Sequence, residues 1–435
     1  MVTDAVAERP QAETAFPYPL RLLVTFVVLA LYWFGHRVPL PFVDPGIAEV
    51  SPALASRISI LALEIYPFWT GFFLVELFAV ATSAGRRLRQ SGAAGRARLD
   101  RAALVTSLAL AAIQAAGIAI TLENMAGPVG NPVVATPGIV FSLLTILTLT
   151  AATAALYVAG QLLSVWGIGN GFALLTLVSL AGPVVKTLSG ARQEIEAVPA
   201  VGWGLLGAAA LAIVVFRVIR KAEDQWTPAF PQSIAPALAV VWLWPLIGLL
   251  SMPRVAQLVL AAVMVFLLSW LGFHLLSSRP HLEASLSEPD EVLDGVAKAL
   301  RLQAVPATAL LVAGTVALMA WREYWPSPTS FALTFPWILS ILAIGLDLWD
   351  QFRFERRHGR WAFLARLDDV HFSYRLEERL QEEEIAALAR GHQLRSLLFF
   401  FGALYKIDVL VPEERIGRAR EVMAEAEMAR EIEAF

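Results

Sequence analysis

Few side chains of this chain have both the type and the setting to do chemistry. Glu64, Glu76 and Gln114 stand inside long apolar runs. A carboxyl or amide there is expensive to bury and is a functional candidate by default. Glu76 and Gln114 are candidates for a polar bridge between neighbouring helices. The blander alternative is a protonated or hydrogen-bonded carboxyl facing water. Asp347 lies near Arg353 and reads as half of an interfacial ion pair. His36 and His274 are isolated, with no partner at metal-ligand spacing. The chain has no cysteine, which excludes disulfides, thiolate metal sites and thiol nucleophiles. It carries no glycine-rich phosphate loop, zinc histidine motif or nucleophile elbow. No catalytic activity, cofactor or metal is expected, and energy for any transport must come from a partner or the membrane potential.

The elements that position these residues are membrane helices. Of 435 residues, 57% are hydrophobic and 16% charged, against about 25% charged in soluble domains. The mean hydropathy is +0.62, and the apolar residues cluster in runs of roughly 20, enough to cross a bilayer. Ten spans are predicted, near 19–40, 57–81, 102–122, 138–165, 170–188, 199–218, 233–251, 255–277, 303–321 and 330–351. Met1 to Pro17 is polar and acidic and lacks the basic start and short apolar core of a cleavable signal peptide, so the first span is expected to direct insertion. The net charge of −3 implies no nucleic-acid partner.

Basic residues orient the spans, because short Lys- and Arg-rich loops stay cytoplasmic. Arg86, Arg87, Arg89, Arg96, Arg98 and Arg101 lie between spans two and three. Arg217, Arg220 and Lys221 follow span six, and Arg353, Arg356, Arg357 and Arg360 follow span ten. Both termini are therefore expected in the cytoplasm. Ten spans split as five plus five, and an odd number per half inverts one half relative to the other. The expected organisation is a tail over 1–18, halves over 19–188 and 189–360, and a small cytoplasmic α+β module over 361–435. In that module Leu376–Arg390 reads as helix, Lys406–Val411 alternates like a strand, and Pro412-Glu-Glu-Arg opens a final helix.

The tightest turn of the chain is Gly167-Ile-Gly-Asn-Gly171, between two apolar runs. Three glycines and Asn170 supply the positive φ such a reversal needs. With Tyr157–Trp166 before it, this segment resembles the junction of helices four and five in SecY, the pore subunit of the bacterial protein translocase. Further segments resemble that family in order: Arg21-Leu-Leu-Val-Thr-Phe to Tyr32, Gly35 and Val38-Pro-Leu-Pro41; Arg57 to Pro67; Ala84-Gly-Arg-Arg87; Ile113-Gln-Ala-Ala-Gly-Ile118; Pro228-Ala-Phe-Pro and Ile234-Ala-Pro236; and Ile344-Gly-Leu-Asp347. The likeness extends over roughly 18–360. The ending Val409-Leu-Val-Pro-Glu-Glu-Arg is similar, over a short stretch, to small bacterial signal-transducing domains.

The resemblance implies an all-α fold of ten helices in two inverted five-helix halves around an hourglass pore. It implies an apolar waist that excludes water by dewetting, with ring positions Trp69, Phe73, Thr176, Leu180, Leu238 and Ile341 (or Ser340). It implies a lateral gate carrying Glu76 and Gln114, a hinge of Gly167, Gly169, Asn170 and Gly171, and a cytoplasmic basic turn of Arg86, Arg87, Arg89, Arg96 and Arg98. Implied partners are a SecE-like subunit, a SecG-like subunit, the bilayer of the bacterial inner membrane and a polypeptide substrate.

The chain departs from the family in three places. Trp69, Phe73 and Thr176 replace aliphatic ring residues. About a dozen residues, with Ile47–Ala55 as a short helix, stand for a longer plug. The cytoplasmic loops are short or acidic, with Glu283, Glu288, Asp290, Glu291 and Asp294 near 278–302, which argues against docking a ribosome or the SecA motor. The implied function is a specialised protein-conducting channel subunit for translocation or membrane insertion. The alternatives are a non-conducting homologue serving as scaffold or assembly factor, and a small-solute transporter built around Glu64 and Glu76.

Overall fold

The computed structural model describes residues 17–43, 58–125, 132–179, 335–367, 370–397 and 404–433, with isolated positions between 256 and 312. Two compact units divide the chain: residues 22–190 with 400–404, and residues 1–21, 191–399 and 405–435.

The first unit contains α1 (Tyr18–Gly35) from Leu22 onward, α2 (Tyr66–Ala81), α3 (Ser83–Gln90), α4 (Gly92–Glu123) and α5 (Ile139–Trp166). Residues 171–179 are also helical. Helix α4 buries Ala103, Ser107, Ala111, Ala115 and Ala119, each at most 3% exposed, at every fourth position. Val105, Ile113 and Ile120 on its other face are 60% exposed or more. Helix α5 buries a mixed face, Phe141, Thr145, Leu149, Thr153, Leu156, Gly160 and Leu163, while Val140, Leu143 and Leu147 face outward. Small residues inward on α4, and large apolar ones outward on both helices, reverse the soluble pattern, as expected where helices pack in lipid. Three described helices, Tyr18–Gly35, Ala94–Glu123 and Ile139–Trp166, are long and apolar enough to cross a membrane. The chain is a helical membrane protein.

Two expected boundaries move. The second span begins at Tyr66 rather than near 57, because Pro67 in the first turn lacks the N–H and clashes with any preceding helical turn. Residues 58–65 instead form turns, and Ile58 and Ile60 pair with the exit segment of α1: Leu40 N–H donates to Ile58 O at 2.7 Å and Ile60 N–H to Val38 O at 2.9 Å. The third helix begins at Gly92, so Arg96, Arg98 and Arg101 lie on α4 itself and not in a loop. Glu123, in the last turn of α4, accepts from Gly138 N–H and Ser142 Oγ–H, both at 3.0 Å. That sets a carboxylate at the N-terminus of α5, where the helix dipole favours it.

In the second unit, α6 (Phe335–His358) runs into β1 (Trp361–Leu367), then α7 (Val370–Glu382), β2 (Leu388–Arg390), α8 (His392–Leu397), β3 (Ile407–Pro412), a 3-10 turn and α9 (Ile416–Glu433). The strands form one sheet ordered β1-β3-β2, with β3 antiparallel to both neighbours. The stretch 376–390, expected as one helix, ends its helix at Glu382. Glu384 adopts φ +55°, and the chain then enters β2. A bulge between Phe363 and Ala365 shifts the β1 register. On one face of the sheet, Leu364, Val409 and Val411 pack with Leu376, Leu380, Ala419 and Val422 of α7 and α9. On the other, Trp361 and Leu410 pack with Phe354 of α6.

Expected spans six to nine, the plug segment Ile47–Ala55, the loop 217–232 and the ring positions Leu180 and Leu238 lie outside the continuously described residues.

Candidate functional site

The site is built around the hinge. Gly167 ends α5, its N–H donating to Leu163 O at 2.8 Å. Gly169 adopts φ +73°, the left-handed region that glycine enters without cost. Asn170 caps the next helix, its Oδ1 accepting from Ala173 N–H at 3.1 Å. The Gly171 N–H donates to Ser164 Oγ at 2.9 Å. A Cβ on Gly171 would stand 2.0 Å from Gly160 O, and one on Gly160 would stand 2.7 Å from the Phe172 ring. The glycines thus serve two needs, the turn itself and the close return of the new helix along α5.

Helix α1 braces this reversal. Thr25 Oγ1 accepts from Ile168 N–H at 3.0 Å. Tyr32, seven residues on and on the same face, shares a hydrogen bond of 2.6 Å between its hydroxyl and Ser179 Oγ. The two rungs show that α1 and residues 171–179 run parallel. Sequence reasoning missed Thr25, Tyr32, Ser164 and Ser179. The seven-residue spacing of the two hydroxyls on one apolar helix was the available signal.

The structure gives the predicted site residues different surroundings. Trp69 is 2% exposed and meets Tyr66 edge-on, with ring centroids 5.4 Å apart. Thr176 is fully buried, its hydroxyl donating to Phe172 O at 2.7 Å. Phe73 is half-buried. The rings of Phe68, Tyr157 and Phe172 meet in sequence at tilted angles, with centroids 5.5 and 5.4 Å apart, joining α2, α5 and the helix after the hinge. Ile341 is half-buried on α6, in the other unit.

The expected bridge between Glu76 and Gln114 does not form. Helices α2 and α4 pack antiparallel with Gly71 against Ser107: a Cβ on Gly71 would stand 2.2 Å from Ser107 Oγ. Leu63, before α2, belongs to the apolar cluster that also holds Ala111, Ala115 and Ala119 of α4. Glu76 is therefore level with Ala102, and Gln114 with Glu64, leaving roughly 18 Å of helix axis between them at 1.5 Å per residue. Glu64 is not on α2 at all; it sits in the preceding turn at φ +48°. Its Oε1 lies 3.9 Å from His36 Nε2, and the His36 ring meets Tyr32 edge-on at 4.8 Å. His36 is thus not isolated. Asp347 does not pair with Arg353; its two oxygens accept from the backbone N–H groups of Gln393 and Leu394 at 2.9 and 3.0 Å.

Of the basic turn, Arg86 and Arg87 lie on α3 and turn back, donating to Ala81 O and Ser83 O. Arg98 is exposed and Arg96 half-buried on α4, and Arg89 falls on α3. Among the described residues no group of His, Asp and Glu is arranged to hold a metal ion.

Residues 59–225, which include α2 to α5 and the hinge, match the family model for SecY. Over these residues the chain is similar to the SecY family. A protein translocase subunit SecY from Rickettsia bellii is 30% identical over 184 residues, 39% of this chain and 42% of that one. Its namesake from Streptomyces scabiei is 27% identical over 233 residues, 48% and 53% of the two chains. The match spans about half the length of these SecY relatives. A solved protein-conducting channel superposes with a TM-score of 0.49 at 11% identity, covering 82% of this chain and 97% of that one.

Proposed function

We propose that this chain, similar to SecY over 59–225, is the pore subunit of a specialised channel that passes polypeptides across, or releases them into, a bacterial inner membrane. The observation that carries this reading is the coincidence of the family match with the braced hinge half. The family match lies over 59–225, and the relatives that match part of the chain are translocase subunits by name. In the same region α4 packs inward through small residues while large apolar side chains of α4 and α5 face outward. Such packing suits lipid on one side and a partner half on the other. Ten spans in two inverted halves, over 19–188 and 189–360, both termini cytoplasmic, fit this reading, with the module over 361–435 as an addition.

In this reading Trp69, Phe73, Thr176, Leu180, Leu238 and Ile341 form the dewetted waist, and Glu76 and Gln114 act separately along the gate. Arg86, Arg87, Arg89, Arg96 and Arg98 fix the orientation. A SecE-like clamp, and a SecG-like subunit beside it, are the partners, and short acidic loops argue for a driver other than a ribosome or basic-loop motor. A second reading, a non-conducting scaffold, is favoured by one observation: Trp69 and Thr176 are buried in packing.

Conductance of the purified protein in planar bilayers, with co-purification of a SecE-like subunit, separates the two. Phe73→Gly should raise ion leak severalfold in a channel. A silent bilayer for both the unaltered chain and Phe73→Gly would leave only the scaffold.

A further inference from the structure

The channel reading gives the C-terminal sheet no work, yet the sheet is not an appendage. One of its faces is covered by its own helices and the other by α6. At the seam a single carboxylate oxygen gathers three donors. Glu355 Oε1 accepts from Arg21 Nη1 at 2.7 Å, Gln351 Nε2 at 2.8 Å and Trp361 Nε1 at 3.0 Å. The Arg21 guanidinium also lies over the Trp361 ring, 4.8 Å from its centroid. Arg21 is 3% exposed, and it belongs to the same compact unit as α6 and the sheet. An arginine so far out of water persists only where charge, hydrogen bonds and an aromatic face replace its hydration. The socket draws on two elements, since Glu355 and Gln351 come from α6 and Trp361 from β1. Its shape depends on the sheet staying seated. What seats the sheet beside the apolar contact is Asp347, also on α6, which accepts from both Gln393 and Leu394 at the start of α8.

We propose that the sheet β1–β3 with its helices acts as a lock built on the end of α6, whose Glu355–Trp361 socket grips Arg21 and so fixes the segment ending at Arg21 that belongs to the same unit. Because the socket is shared between α6 and the sheet, gripping Arg21 and seating the sheet are linked, and loosening either loosens the other. The lock stands whether or not the pore conducts.

Guanidine-selective modification tests it on the full-length protein in detergent, with phenylglyoxal as the probe and mass spectrometry reading each arginine. In the unaltered chain Arg21 should react at least tenfold more slowly than the exposed Arg87. Glu355→Gln should raise the Arg21 rate at least tenfold, with the circular dichroism of the protein retained. Asp347→Asn, which touches neither Arg21 nor Glu355, should raise it too while leaving Arg87 unchanged. Where Asp347→Asn fails to fold, Trp361→Phe decides: it keeps a ring but removes the indole N–H, and should raise the Arg21 rate several-fold. Arg21 reacting as fast as Arg87 in the unaltered chain would overturn the lock. So would an Arg21 rate indifferent to Asp347→Asn, or to Trp361→Phe where that variant decides.

Discussion

The hinge half and the C-terminal sheet solve the same problem, burying polar groups away from water, by opposite means. Around the hinge the hydrogen bonds described above are neutral, most of them within a turn or two along the chain, with Thr25–Ile168 and Tyr32–Ser179 reaching across from α1. Thr153, Ser164 and Thr176 return their hydroxyl protons to the backbone one turn earlier, and Ser164 then accepts from Gly171 N–H. The sheet buries full charges joined across long sequence separations. Asp408, 1% exposed, is held between Arg366 of β1 and Arg390 of β2. A half-bundle in lipid gains from close backbone approach and cannot solvate stray charge. The sheet can keep paired charges where their geometry fixes which strands pair. The comparison predicts that single substitutions will hurt the sheet through charge and the hinge through volume.

The largest effect is expected at Asp408. Burial alone would push its carboxyl up; the Arg390 and Arg366 guanidiniums outweigh that and hold it below the usual carboxylate range. Asp408→Asn leaves both cations facing a neutral amide, and breaking such a buried pair costs about 3–5 kcal/mol. Thermal unfolding followed by the hydrogen exchange of β3 should show it, whereas an unchanged midpoint would break the comparison. The same residue sets a pH dependence. Its folded value is depressed relative to the unfolded carboxyl, near 3.9, so its contribution is complete above that value. The contribution fades as pH falls through the folded value. Exchange in β1–β3 should therefore rise on acidification below about pH 4, and Asp408→Asn should remove this component.

Second in size is Gly171→Ala. The added Cβ would meet Gly160 O at 2.0 Å and Leu163 Cβ at 2.6 Å, and overpacking of a tight contact costs about 1–3 kcal/mol. Gly117→Ala on α4 is the matching control: its Cβ would meet nothing within 4 Å, and an exposed helical glycine should gain about 0.5–1 kcal/mol from the exchange. Opposite shifts of the two detergent melting points would sharpen the volume rule; equal shifts would refute it.

Legibility in the sequence followed the range of the interactions. The hinge was readable as a turn because its residues are adjacent, but the expectation of positive φ held for Gly169 alone. Gly167, Asn170 and Gly171 do not adopt it, and Gly171 is needed for the close return along α5. The fourth span, α5, was readable because Ile139–Trp166 is one unbroken apolar run. The start of α2 was misread because hydropathy counts Ile58–Ile65 as apolar and does not feel Pro67 or the left-handed turn at Glu64. Register was invisible as well: nothing in the spacing of Glu76 and Gln114 reveals that Gly71 faces Ser107. The role of Asp347 was unreadable for the same reason, since its partners lie 46 and 47 residues away. Arg353 is close in sequence only, and proximity along the chain was the wrong guide.

The smallest effect tests whether the basic turn obeys the local rule of the hinge half it belongs to. Helix α3 has only eight residues, too few to persist on intrinsic propensity. Thr82 starts it, its Oγ1 accepting from Gly85 N–H at 3.0 Å and donating to Phe78 O at 2.9 Å. One hydroxyl therefore closes α2 and opens α3. Gly85 itself is packed against Phe78 O, where a Cβ would stand 2.4 Å away, so α3 cannot drift from α2 without losing that contact. Thr82→Ala should cost about 1 kcal/mol, the usual loss for an N-cap, and raise amide exchange over 83–90 while leaving α4 protected. Thr82→Ser should restore protection, because the capping oxygen returns without the methyl group. If both variants exchange like the unaltered chain, Arg86 and Arg87, bonded to Ala81 O and Ser83 O, carry the turn. Charge, and not a local neutral cap, would then organise this corner of the half-bundle as it organises the sheet.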